Sequence, residues 1–159
     1  MAVATVRPRM FLDMWKLSPI LLALCLIAGC SRPSSYEPFV QREKAEYGDT
    51  YTFLLDLSDT TVSYSLDFYT RLERPAFGEF EQDSLLLDLR WISPSDSIIA
   101  DTTCIRTSSP VGMAYYSRDY VARYSEDLSL PENGEWRLKA RILNDSDWIR
   151  GLGIIFKRK

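Results

Sequence analysis

From Thr50 to the C-terminus, apolar residues recur at every second position. Tyr51, Phe53, Leu55 and Leu57 alternate with Thr52, Leu54 and Asp56, and Val62, Tyr64, Leu66 and Phe68 alternate with Ser63, Ser65 and Asp67. Leu85, Leu87, Leu89 and Trp91 alternate with Leu86, Asp88 and Arg90, and Trp136, Leu138, Ala140 and Ile142 with Arg137, Lys139 and Arg141. Leu152, Ile154 and Phe156 close the series. A period of two turns one side of each strand to a core and the other to water. A helix would need apolar residues at i, i+3, i+4 and i+7, and no long stretch after Thr50 offers that stripe.

Turn residues fall between these runs. Asp59-Thr60-Thr61 and Ser93-Pro94-Ser95-Asp96 each separate two of them. Pro131-Glu132-Asn133-Gly134 is the strongest turn signal, because Asn and Gly accept the positive φ of tight hairpins. Arg74–Gln82 and Arg106–Met113 read as longer loops. The pattern predicts about eight strands, over 51–57, 62–72, 84–92, 97–105, 114–119, 120–129, 135–143 and 152–157. Short antiparallel strands at this spacing predict an all-β fold, an antiparallel β-sandwich of jelly-roll type.

The N-terminus follows a different pattern. Ile20 to Gly29 is a nearly continuous apolar run preceded by Lys16 and closed by Leu26-Ile27-Ala28-Gly29-Cys30. A ten-residue helix is too short to cross roughly 30 Å of hydrocarbon. A basic flank, a short apolar stretch and a small-residue exit are signal-peptide anatomy. The closing pentapeptide is similar to a bacterial lipobox, which implies lipidation of Cys30 and cleavage before it. Met10 or Met14 could equally serve as the start of such a signal. The expected organisation is a signal peptide over 1–29, a lipidated N-terminus and tether over 30–49, with Ser31–Pro38 polar and proline-bearing, and the β-sandwich over 50–159. Residues 39–49 read as irregular structure or one short turn.

Composition narrows the chemistry. Without residues 1–29, which carry Arg7, Arg9, Lys16 and Asp13, the chain has 16 basic and 21 acidic residues, net −5. That balance argues against a nucleic-acid partner. The chain contains no histidine, so the commonest general base and metal ligand are missing, and histidine-dependent serine or cysteine nucleophile systems are excluded. No cofactor and no catalytic residue is expected. With Cys30 lipidated and Cys25 removed with the signal, Cys104 has no partner for an intrachain disulfide. It is expected to act as a small hydrophobe in its strand.

Weaker candidates remain. Glu79 with Glu81, and Asp145 with Asp147, are carboxylate pairs that a glycosidase could use, although solvated loop acids are the better reading. Asn144-Asp145-Ser146-Asp147 lacks the central glycine and terminal glutamate of an EF-hand loop. Tyr115, Tyr116 and Tyr120, with Tyr124 nearby, could form a platform for a sugar or a protein, although packing is the better reading. Arg137, Lys139 and Arg141 form a basic ridge that cross-strand acids such as Asp67 or Asp88 could balance. Asp followed by Ser or Thr and a small or apolar residue occurs at Asp59-Thr60, Asp83-Ser84, Asp96-Ser97 and Asp101-Thr102. This is similar to an O-glycosylation sequon of exported Bacteroidetes proteins and makes Thr60, Ser84, Ser97 and Thr102 candidate acceptors.

Three segments carry a wider resemblance: Tyr124-Ser125-Glu126-Asp127-Leu128-Ser129-Leu130-Pro131, then Glu132-Asn133-Gly134-Glu135-Trp136, and finally Trp148-Ile149-Arg150-Gly151-Leu152-Gly153-Ile154-Ile155-Phe156. With the lipobox and the Asp101-Thr102 pair, they resemble the GldH-type gliding-motility lipoproteins of Bacteroidetes. Val111-Gly112-Met113 stands where that layout has a tryptophan-glycine element. The resemblance implies a lipid-anchored outer-membrane protein of the gliding and secretion machinery, with envelope-protein partners and no catalytic residues. Ser31 after Cys30 resembles outer-membrane sorting. With no acidic run after Cys30, the periplasmic face is expected. The expected function is a non-enzymatic binding or scaffold component, anchored to the membrane through acyl chains. The alternative is a carbohydrate-binding lipoprotein with a glycan ligand.

Overall fold

A computed structural model describes residues 34–46, 50–73, 83–144 and 147–159. They form ten strands: β1 (Ser35–Tyr36), β2 (Phe39–Gln41), β3 (Thr50–Asp56), β4 (Tyr64–Glu73), β5 (Ser84–Ile92), β6 (Ile98–Arg106), β7 (Gly112–Met113), β8 (Ser117–Ser125), β9 (Glu135–Ile142) and β10 (Ile149–Arg158). A single 3-10 turn, Arg42–Lys44, follows β2.

The strands form two antiparallel sheets. One has the order β1-β10-β4-β8-β7, with β2 also on β10; the other has the order β3-β9-β5-β6. The main ladders are nested around one turn. Ser93 N–H donates to the Ser97 carbonyl at 2.9 Å. Outward from this turn Leu85 faces Ile105, Phe68 faces Ala122, Phe53 faces Leu138 and Val40 faces Leu152. The domain is thus one long hairpin, bent near Ser95 and rolled so that β10 meets β4 and β9 meets β5. Rolling a hairpin in this way gives the jelly-roll order, and the expected all-β sandwich is the observed fold.

The alternation placed the core correctly. Tyr51, Phe53 and Leu55, with Leu85, Leu87, Leu89 and Trp91, are buried from one sheet. Leu66, Phe68, Leu152, Ile154 and Phe156 meet them from the other. Tyr64 stacks on Phe156, ring centroids 5.1 Å apart, where β4 begins and β10 ends.

Four features differ from the sequence reading. Ser34 already belongs to the compact unit that runs to Lys159, so the segment read as tether supplies β1 and β2, both paired with β10. Predicted strands 114–119 and 120–129 are one strand, β8, because Ala114 N–H closes a turn on the Ser117 carbonyl at 2.8 Å. The Asn133-Gly134 turn does not close a hairpin; it belongs to the passage from β8 in one sheet to β9 in the other. Its glycine is still required, since at φ +134° an added Cβ would lie 2.9 Å from Pro94 Cγ. Finally, Cys104 is exposed. It faces Leu86, which points outward on β5, and so shares the solvent side of an edge strand.

Candidate functional site

Cys30 lies outside the described residues, as do Glu79, Glu81 and Asp145. Asp147 is described, with a fully exposed side chain 3.9 Å from Arg42. Among the described residues no group of three or more Cys, Asp or Glu side chains could hold a metal. Of the glycosylation candidates, Thr60, Ser97 and Thr102 are exposed and Ser84 is half-buried. Thr60 occupies a turn in which Asp59 accepts from both the N–H and the hydroxyl of Thr61.

The tyrosine trio separates. Tyr115 and Tyr116 are 86% and 64% exposed, whereas Tyr120 is fully buried beside Thr70. The reason is register: Tyr120 lies on the inner side of β8, and the other two lie in the turn before it. Their rings meet edge to face at 83°, with centroids 4.5 Å apart, so they do not form a flat stacking platform. Val111 and Met113, 67% and 72% exposed, extend the same loop. The result is an apolar tip held by a two-residue pairing, Gly112 with Asp119 and Met113 with Arg118, and by the Val111 and Ala114 N–H groups, which donate to the Asp119 and Ser117 carbonyls.

Pairing also fixes where this tip lies. Ser117 faces Glu73 at the end of β4. At the other end of β4, Tyr64 faces Arg158, whose N–H donates to the Ser34 carbonyl at 3.0 Å. The chain therefore enters the sandwich at one end of the sheet and displays the tip at the other. Ten residues of β4 separate the ends, roughly 30 Å at strand rise.

A second surface is the outer side of β3-β9-β5. Glu46, Thr50, Asp88, Arg90, Lys139 and Arg141 line an open groove of about 280 Å³. Lys139 Nζ donates to Glu46 at 2.9 Å, and Arg141 pairs with Asp88 at 3.3 Å. The Thr52 hydroxyl donates to the other Glu46 oxygen at 2.6 Å. This bond and then the Lys139 contact hold the Glu46 carboxyl below its ordinary value. Asp88 thus balances the basic ridge as expected. Asp67 does not, because it lies on the other sheet and pairs with Arg123 at 3.3 Å.

Sequence reasoning missed one pair altogether. A register shift opposite Leu66/Asp67 leaves Tyr124 as the extra residue of a β-bulge, a device that re-aims a side chain. Its ring lies 5.8 Å from Trp91 and edge-on to Phe68, and its hydroxyl donates to Asp101 Oδ2 at 2.6 Å. Asp101 Oδ1 accepts the N–H of Thr102 at 2.7 Å. Burial first, then the Asp101 contact, raises the Tyr124 hydroxyl to about 12. The aromatic count of the segment was visible in the sequence; the bulge was not.

Comparison with known protein families and with curated proteins finds no match to this chain.

Proposed function

We propose that this chain is a non-enzymatic outer-membrane lipoprotein, held in the periplasmic leaflet by acyl chains on Cys30, that acts as a binding or scaffold component of an envelope complex. Its resemblance to GldH-type gliding-motility lipoproteins supports this reading. The observation that carries it is the opposition of the two ends of the sandwich. Only Ser31, Arg32 and Pro33 separate Cys30 from Ser34, a reach of roughly 14 Å at most. Acyl chains on Cys30 would hold the Ser34 end close to the bilayer. The Val111–Tyr116 tip then faces away from that membrane, where an apolar loop serves a protein surface rather than lipid.

The test compares wild type with Cys30→Ala and with Tyr115→Ser/Tyr116→Ser. Wild-type protein should incorporate labelled palmitate and co-purify with envelope proteins from detergent-solubilised membranes. Cys30→Ala should lose the label and the membrane fraction. The double tyrosine variant should keep both but lose the co-purifying partner. Palmitate labelling that survives Cys30→Ala would sink the anchor, and partner capture indifferent to the tyrosines would sink the tip. The carbohydrate-binding alternative retains Tyr115 and Tyr116 as exposed aromatics but not Tyr120. It predicts retardation on glycan-containing gels that Tyr115→Ser removes.

A further inference from the structure

The outer side of the four-stranded sheet is ordered in rows across its strands. Arg90 on β5 stands directly opposite Lys139 on β9, which stands opposite Thr52 on β3. The next row is Asp88, Arg141 and Thr50, and on the other side lies Ile92, Arg137 and Leu54. Around the groove, three cations, Arg90, Lys139 and Arg141, stand with two acids, Glu46 and Asp88. Each acid holds one cation, Lys139 and Arg141 respectively. The Arg90 side chain has no hydrogen bond or ion pair among the described residues. It projects from an exposed position beside Lys139, and directly opposed like charges weaken a sheet. The groove lining thus carries one cation more than it has acids, against the acidic balance of the chain as a whole.

We propose that this groove binds an oxyanion, a phosphate or carboxylate carried on a molecule of about hexose size. The volume of about 280 Å³ suits a small ligand. Glu46 and Asp88 hold Lys139 and Arg141 in place, so their remaining donors are oriented before a ligand arrives. The Arg90 guanidinium supplies the unpaired charge and a planar fork that matches phosphate or carboxylate. Thr50 adds a hydroxyl at the groove wall. The opposed cations are the feature an anion between them would relieve. The groove is open to water, so the attraction is weakened by salt.

Full-length protein in neutral detergent is titrated with inorganic phosphate, glucose 6-phosphate and glucuronate. It is also floated with phosphatidylcholine vesicles with and without phosphatidylglycerol. Saturable binding of a soluble probe is expected, weakened about tenfold by Arg90→Gln, which removes one charge-assisted contact. Lys157→Gln, at an exposed position on β10 in the other sheet, should leave binding unchanged. Arg90→Gln should also raise the thermal midpoint by about 2 °C, because it removes the opposed charge; weaker binding then cannot be put down to misfolding. Binding to anionic vesicles alone, abolished by Arg90→Gln, assigns the oxyanion to a lipid headgroup and supports the site. Absence of saturable binding to every probe, or binding that Arg90→Gln leaves intact, overturns it. Acyl chains on Cys30 would add the same flotation to both vesicle types, so only the difference between the two, and its loss in Arg90→Gln, is scored, and the anchor reading stands or falls separately.

Discussion

Tyr120 and Tyr124 sit four residues apart on β8, both turned inward, and their hydroxyls have opposite fates. The Tyr120 oxygen is buried with no hydrogen-bond partner among the described residues. A desolvated, unpaired hydroxyl costs about 1–3 kcal/mol, so Tyr120→Phe should leave the fold intact and raise stability by up to about 1 kcal/mol. Urea unfolding checks this. The Tyr124 hydroxyl is committed to Asp101, and Tyr124→Phe should cost about 1–2 kcal/mol. The pH dependence has a definite sign. The folded-state value of Tyr124 is raised to about 12, against about 10 in an unfolded chain, so its contribution is complete below pH 10. That contribution is lost as pH rises from 10 towards 12. Wild type should lose stability more steeply than Tyr124→Phe across that window, and equal slopes would contradict the assignment.

Among the elements, β10 and β6 carry opposite constraints. β10 is an interior strand of its sheet, paired with β4 on one side and with β1 and β2 on the other. Two glycines admit this crowding. A Cβ at Gly151, where φ is +156°, would meet the Val40 carbonyl oxygen at 2.2 Å, and one at Gly153 would enter the Tyr69 ring. Gly151→Ala should therefore cost about 2 kcal/mol or more and should release the β1–β2 segment first. Faster amide exchange at Val40 and Gln41 would report it. β6 is an edge strand whose outer margin would invite pairing with another chain. Asp101 guards it by accepting the Thr102 N–H and by tying the strand to Tyr124 across the open side of the sandwich. Asp101→Ala should lose about 1–2 kcal/mol and aggregate on storage, and light scattering is the readout. Undiminished solubility would remove the guard role.

Over the described molecule, the rolled hairpin sets three surfaces apart. Ser34 and Lys159 lie at one end, the apolar Val111–Tyr116 tip at the other, and the cationic groove on the flat side between them. Serine substitution of both exposed tyrosines should change stability by less than about 0.5 kcal/mol, since they contribute little to the core. Any loss of partner binding would then belong to the surface itself, and matched thermal midpoints for wild type and variant check this.

Period-two alternation determined by itself which residues of β3, β4, β5, β9 and β10 are buried, because each of these strands packs one side on the same core. It could likewise be read that Lys139 and Arg141 face water and that the Asn133-Gly134 turn needs a glycine. The tertiary structure alone decided the rest, because those features depend on which strand lies beside which. Cys104 and Leu86 look apolar in sequence, yet register puts them outside. Tyr120 was separated from Tyr115 and Tyr116 by a turn that breaks no hydrophobic pattern. Asp101 reaches Tyr124, and Arg90 meets Lys139, only because a hairpin folded about Ser95 brings residues far apart in the chain into adjacent rows. Local pattern encodes the inward side of a strand, whereas its neighbours are set by how the whole sheet closes.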